Sequence, residues 1–300
     1  MKILIRADSS NSIGTGHIMR DLVLAQQYAK RGDNVIFAAQ NLEGNINQRV
    51  VEEGYALKIL KSNSKKELRR VIEDLRIDFL IVDNYAIEYK KEKYLKTKTG
   101  VKILAVDDTY EKHYCDILLN HNISADKKRY KRLVPKGCEL RCGKKYTLLR
   151  DEFYKAKQKK YKKDTKTKHI FIAMGGADTA ELNIRLLKIL ENFKGIRVAV
   201  VTTSANKHLK ELQSYATDKE WIELHINSKK MAKLMAKSDL AIVTPSVTVN
   251  EVCFMELPFI AIKTADNQND IYQYLKKKRF KVIKKFKRKT LLRTLKGMLL

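Results

Sequence analysis

No stretch of this chain approaches eighteen consecutive apolar residues, so no membrane-spanning helix is expected. The opening MKILIRAD puts Arg6 and Asp8 where the apolar core of an export leader would continue, and a cytoplasmic chain is the expectation. Cysteine is scarce. The four thiols (Cys115, Cys138, Cys142 and Cys253) form no CxxC pair, and Cys138 and Cys142 have three residues between them and no histidine set beside them. That argues against zinc and for reduced, mostly buried thiols. There is one tryptophan, no Lys-Ser/Thr phosphate loop of the Walker type, and no recognised nucleic-acid module. Acidic residues are also in deficit, 34 against 62 basic, for a formal charge of +28. Such an excess attracts polyanions. Lysine abounds here together with isoleucine and asparagine, however, as a genome-wide composition bias would produce, so charge by itself assigns no partner.

What is present is a core. Hydrophobic residues make up 44% of 300 positions, enough for one large or two medium domains. Continuous apolar runs read as strands covered on both faces. They are residues 2–8, 34–39, 78–83, 101–108 and 115–120, then 169–176, 197–203, 222–226, 239–245 and 258–264. Helical patterns lie between them, such as residues 19–32, which end at Gly32. Strand–helix alternation in both halves predicts an α/β chain of two doubly wound, Rossmann-like parallel sheets facing across a cleft. The segment from Lys155 to Lys168 has eight lysines and no Leu, Ile, Val or Gly, which marks a boundary. The expected domains are 1–155 and 165–275, followed by a basic segment, 276–300. That segment reads either as an interfacial helix on an anionic membrane, with Phe280, Val282, Ile283, Phe286, Leu291, Leu292 and Leu295 on one face, or as a terminal helix packed on its domain.

Three loops carry candidate chemistry. Gly14-Thr15-Gly16-His17 follows the first strand, with His17 in the first turn of the next helix. The positive end of that helix disfavours imidazolium, so His17 is expected neutral and able to accept a proton. The other reading is a histidine that only caps or packs. Gly175, Gly176 and Asp178 lie between a strand end and a helix start, where free amides can bind a diphosphate. Ser246, Thr248 and Glu251 repeat that arrangement, with hydroxyls for phosphate and a carboxylate able to accept both ribose hydroxyls. Ordinary helix caps would use the same residue types.

Taken together, RADSSNSIGTGH, IVDNYAI (81–87), CDILLN (115–120), CELRCG (138–143), LLRDEFY (148–154), MGGAD (174–178) and VNE (249–251) resemble the UDP-sugar hydrolases of pseudaminic acid biosynthesis. These are hydrolytic relatives of the GT-B glycosyltransferase that makes lipid II. The likeness covers about residues 1 to 275. It implies a GT-B-like fold and cleavage of UDP-2,4-diacetamido-2,4,6-trideoxy-β-L-altropyranose by water at the anomeric carbon, with inversion and with no metal or cofactor. It implies His17 as base, Tyr85 beside it, Asn267 and Gln268 near the sugar, and Glu251 on the uridine ribose. Arg6, Gly14, Gly16, Gly175, Gly176, Asp178, Ser246, Thr248 and Asn250 complete the implied substrate contacts. The family's HYG stands here as Asn84-Tyr85-Ala86, and its paired serines as Pro245 to Thr248. The sequence offers no obvious carboxylate pair to hold a metal, Asp107-Asp108 being the one exception to weigh. A monomer acting on a small UDP-sugar is expected, without nucleic acid and with at most weak contact of the basic C-terminus with anionic membrane. The competing functions are a GT-B glycosyltransferase that needs an acceptor and a basic nucleic-acid-binding protein.

Overall fold

A computed structural model describes residues 1–159, 161 and 166–299. The chain divides into two compact units, Met1–Leu148 and Leu149–Leu300. Unit one runs β1 (Lys2–Ala7), α1 (Gly16–Ala29), β2 (Asn34–Gln40), α2 (Asn47–Glu52), β3 (Ala56–Leu60), α3 (Lys65–Asp74), β4 (Phe79–Asp83), α4 (Tyr89–Thr99), β5 (Lys102–Val106), β6 (Ile117–Asn120) and β7 (Glu139–Cys142). Unit two runs α5 (Asp151–Gln158), β8 (Lys168–Ala173), α6 (Leu182–Leu190), β9 (Ile196–Thr202), α7 (Leu209–Ala216), β10 (Ile222–Ile226), α8 (Met231–Lys237), β11 (Leu240–Val243), α9 (Val247–Phe254), β12 (Phe259–Ile262), α10 (Asn269–Lys277), β13 (Lys281–Ile283) and α11 (Arg288–Leu299).

Both sheets are parallel, in the orders β3-β2-β1-β4-β5-β6-β7 and β10-β9-β8-β11-β12-β13. The unbroken apolar runs follow from this. In β1, Ile3, Ile5 and Ala7 pack with α1 on one face, while Leu4 packs with α3 and α4 residues on the other. A strand covered on both faces has no polar side to alternate with. Each sheet also has a switch point, between β1 and β4 and between β8 and β11. There the following helices leave toward opposite faces, and the loops at the strand carboxyl ends are left open to a ligand.

β3, β7 and β13 were not expected from the sequence, and all three are edge strands. Edge strands are covered less completely, so β3 (ALKIL) and β13 (KVI) carry lysine and lack the long apolar signature. β13 lies inside the basic C-terminal segment. That segment is built into unit two, with β13 paired to β12 and with Ile283, Leu291 and Leu295 in the core. α5 belongs to the same unit and buries Phe153. The lysine-rich stretch expected to mark the boundary includes residues 160 and 162–165, which lie outside the described residues.

Candidate active site

The site in unit one is built at the β1/β4 switch point. After β1, Ser10 and Gly14 form a tight bridge, the Gly14 amide donating to the Ser10 carbonyl at 2.8 Å. Gly14 has φ +82°, a conformation that glycine adopts without the strain a side chain would bring. Gly16 shows no such demand, since a Cβ there would meet nothing within 4 Å. The loop delivers His17 to the first turn of α1, 7% exposed. β4 ends beside β1, with Asp83 in register with Ala7.

His17 and Asp83 form a dyad. Nδ1 of His17 lies 2.8 Å from Oδ1 of Asp83 and 3.1 Å from the Asp83 carbonyl oxygen. Two acceptors at Nδ1 place the proton there and leave Nε2 as the acceptor. The expectation of a helix-depressed histidine needs correction. Burial does lower its pKa, but the hydrogen bond and charge of Asp83 outweigh burial and the net direction is up. Asp83 is itself buried, which favours the acid, yet the Arg20 guanidinium and His17 hold it well below the usual carboxylate range.

Arg20 stands one helical turn after His17 on the same face of α1. It forks onto Asp83, Nε to Oδ2 and Nη2 to Oδ1, each at 2.5 Å. Its remaining nitrogen, Nη1, donates to Oδ2 of Asp108 at 2.8 Å. Oδ1 of Asp108 in turn accepts the Tyr85 hydroxyl at 2.8 Å. Tyr85 is 57% exposed, and its ring meets the His17 ring edge-on at a centroid distance of 5.0 Å. Burial and then Asp108 raise the phenol, so Tyr85 is a neutral hydroxyl near pH 7. Arg20, Asp83 and Asp108 were not assigned to the reaction from sequence. The readable signals were the His-x-x-Arg spacing in a predicted helix and the aspartates at strand ends.

Arg6 requires a correction. It is fully buried, and its guanidinium is engaged by Asp8 at 2.6 Å on both oxygens, by the carbonyls of Ala7 and Ala38, and by Asn63. It is sealed from solvent, with both terminal nitrogens engaged and Nε buried without a partner. Its role is structural: Asp8, held by Arg6, accepts from the Gln40 amide and the Asn84 side chain at 2.7 Å each, which anchors the loop carrying Tyr85. Asp107 and Asp108 do not act as a pair. Asp107 accepts from Thr109, the Tyr110 amide and the Tyr130 hydroxyl, while Asp108 serves Arg20 and Tyr85. Among the described residues, no group of three or more His, Cys, Asp or Glu is disposed to hold a metal ion.

In unit two the expected residues gather on the loops after β8, β11 and β12, which are adjacent strands. After β8, the Gly176 carbonyl accepts from the Thr203 amide and the Thr202 hydroxyl, which pins this loop to the end of β9. Among the described residues, the amides of Gly175, Gly176 and Ala177 donate to no protein acceptor. Asp178 departs from expectation. Its two oxygens accept the Leu182 and Asn183 amides at 2.9 and 2.8 Å, so it caps α6 where an anion would otherwise sit. After β11, Ser246 precedes α9 with its hydroxyl 3.1 Å from that of Thr244, and Thr248 is half-buried in the first turn. Asn250 is buried within α9.

Glu251, one turn further, is 14% exposed and lies 3.3 Å from Arg150, which also pairs with Glu152. Burial, only partly offset by Arg150, pushes the Glu251 carboxyl up to about 7. Arg150 is another residue that sequence reasoning passed over. After β12, Gln268 folds its side-chain amide back onto Thr264 and Ala265, whereas Asn267 is exposed. Gln268 thus shapes the loop, and Asn267 is the member of the pair left open.

No family profile matches the chain. The chain is 42% identical over 287 residues to the UDP-2,4-diacetamido-2,4,6-trideoxy-β-L-altropyranose hydrolase of Campylobacter jejuni, covering 95% of this chain and all of the relative. It is 24% identical to the spore coat polysaccharide biosynthesis protein SpsG of Bacillus subtilis, over 89% of this chain and 79% of that protein. Among solved structures, MurG of Acinetobacter baumannii superposes with a TM-score of 0.69 at 13% identity, over 100% of this chain and 91% of that one. That likeness, with the two parallel-sheet units, gives the fold as GT-B-like. With this fold, and with 42% identity over nearly its whole length, the chain belongs to the family of UDP-2,4-diacetamido-2,4,6-trideoxy-β-L-altropyranose hydrolases.

Proposed function

We propose that this chain hydrolyses UDP-2,4-diacetamido-2,4,6-trideoxy-β-L-altropyranose to UDP and the free diacetamido-trideoxy-altrose, a step of pseudaminic acid biosynthesis. The observation that carries the reading is the His17–Asp83 dyad, with Nδ1 held by two acceptors and Nε2 left to take a proton. Unit two supplies the nucleotide site: the amides of Gly175, Gly176 and Ala177 and the start of α9 face the diphosphate, Ser246 and Thr248 add hydroxyls, and Glu251 takes the ribose. Asn267 serves the sugar.

In this reading unit one supplies the chemistry. His17 Nε2 accepts a proton as water attacks the anomeric carbon, the carbon–oxygen bond to the β-phosphate breaks, and UDP leaves with the electron pair. Asp83 stabilises the imidazolium that forms, and the amides and helix starts of unit two stabilise charge developing on the diphosphate. Tyr85 orients the water or the sugar. Attack opposite the leaving group inverts the anomeric centre. The stabilising groups all belong to the protein, so turnover in the presence of a chelator is part of the proposal.

Incubation with the UDP-sugar in oxygen-18 water tests this. Label in the free sugar, with no acceptor added, is the expected result; label in UDP would show attack at phosphorus and overturn it. The same reading takes the chain as a cytoplasmic monomer, and four free thiols suit a reducing compartment. α11 turns Leu291 and Leu295 inward, so contact with anionic lipid would rest on exposed lysines and be weak and salt-sensitive.

A further inference from the structure

We propose that Arg20 is a positioning residue that holds both reactive side chains of unit one, His17 and Tyr85, through a single guanidinium shared between Asp83 and Asp108. The inference rests on the assignment of His17 as base and deepens it. The contacts close into a ring. His17 meets Asp83 at 2.8 Å, Arg20 binds Asp83 twice at 2.5 Å and Asp108 at 2.8 Å, and Asp108 receives Tyr85 at 2.8 Å. The Tyr85 ring then returns to His17 at 5.0 Å. Arg20 is 8% exposed, so these bonds are poorly screened by solvent. A planar fork can bind Asp83 through two nitrogens and still present a third to Asp108, which a lysine cannot do.

The charge of Arg20 has a second consequence. The titratable groups that interact with His17 or with its partners Asp83 and Arg20 are Asp21 on α1, Tyr85 in the loop beyond β4, Asp108 after β5 and His121 after β6. Burial and then Asp83 raise the Asp21 carboxyl well above its ordinary value. Burial and then Arg20 push His121 down to about 4, so it is neutral near pH 7. Asp83 favours imidazolium at His17, and Arg20 opposes it. Arg20 therefore limits the rise that Asp83 imposes and keeps a larger fraction of His17 unprotonated at neutral pH.

The test uses the full chain with Arg20→Met, Arg20→Lys and Asp108→Asn. The readouts are pH profiles of kcat/KM and NMR titration of the His17 ring without substrate. Arg20→Met is expected to move the His17 midpoint up by about one pH unit and to lower kcat at pH 7 roughly 10- to 100-fold. Arg20→Lys keeps the cation, so its midpoint stays within about 0.3 of wild type while kcat falls roughly tenfold through the lost fork. Asp108→Asn lowers kcat with a small change in midpoint, because it frees Tyr85. A merely structural Arg20 would lower thermal stability and leave the midpoint in place, and that result overturns the proposal. If Arg20→Met does not fold, kcat within about twofold of wild type in both other variants overturns it. Turnover by a His17→Leu variant would sink the base assignment, whereas the NMR titration reports the clamp independently of turnover.

Discussion

The carboxylate of Asp83 and the imidazole of His17 meet at 2.8 Å, with the Asp83 carbonyl oxygen 3.1 Å from the same ring nitrogen. The aspartate thereby selects the tautomer and raises the pKa of the base. With a folded pKa above the ordinary 6.5, the acid limb of the pH–rate profile is expected above that value, since activity needs the unprotonated ring. In Asp83→Asn the limb should move to lower pH, and kcat should fall roughly 10²- to 10⁴-fold as the proton is released to either nitrogen. Removing a buried charge also leaves Arg20 with Asp108 as its remaining carboxylate partner, at a cost of about 3 kcal/mol in urea unfolding. An unmoved acid limb would refute the dyad.

His17→Leu should abolish turnover and leave UDP binding nearly intact, because the nucleotide contacts are assigned to unit two. Calorimetric titration with UDP and a product assay on the same preparation separate the two effects. Loss of UDP binding in parallel with turnover would contradict this division of labour.

Glu251 titrates near 7, so its capacity to accept ribose hydroxyls should grow as pH rises through neutrality. Uridine, which has no phosphate to titrate, should bind more tightly at pH 8 than at pH 6. In Glu251→Gln that dependence should vanish, with affinity at pH 8 reduced roughly 10- to 100-fold. Isothermal titration at the two pH values decides it. Equal slopes in wild type and variant would exclude Glu251 as the ribose contact.

Gly176 packs against Thr203, and a Cβ there would lie 2.8 Å from Thr203 Cγ2 and 2.9 Å from Oγ1. Gly176→Ala should shift the loop and weaken UDP binding by roughly tenfold, and adding Thr203→Ala should restore most of it. A double-mutant cycle on UDP affinity reads the coupling. Additive losses would show that the close approach does not shape the diphosphate loop.

Arg6 offers the opposite pattern. Arg6→Met leaves Asp8 buried without its cation and should cost about 3–5 kcal/mol of stability. KM measured on the folded fraction should remain close to wild type. A raised KM with normal stability would return Arg6 to the substrate contacts.

Among the elements of the fold, nine of the ten runs could be read because strands covered on both faces leave no polar alternation, while the edge strand β10 (IELHI) kept enough apolar residues to be legible despite alternating. β3, β7 and β13 escaped because edge strands are covered less completely and, in β3 and β13, carry lysine. The reading of residues 276–300 as one amphipathic face missed the division between β13 and α11. Composition could not reveal it, because the same lysines suit a solvated helix and an edge strand alike.

Of the candidate site, the position of His17 was set by short-range rules: a strand, a glycine turn and a helix start place it at a strand end whatever the rest of the chain does. Local sequence likewise placed Gly175, Gly176, Ser246 and Glu251 on loops at strand ends. The partners were decided by tertiary structure. Asp83 is 66 residues from His17 and Asp108 is 88 from Arg20, and strand order alone brings them together. The direction of the His17 shift followed from that packing, because a carboxylate at 2.8 Å outweighs both burial and the helix terminus. Burial in turn made Arg6 a structural residue and gave Glu251 its neutral-pH titration. Both depend on how much water the fold removes, a quantity set by the whole packed chain.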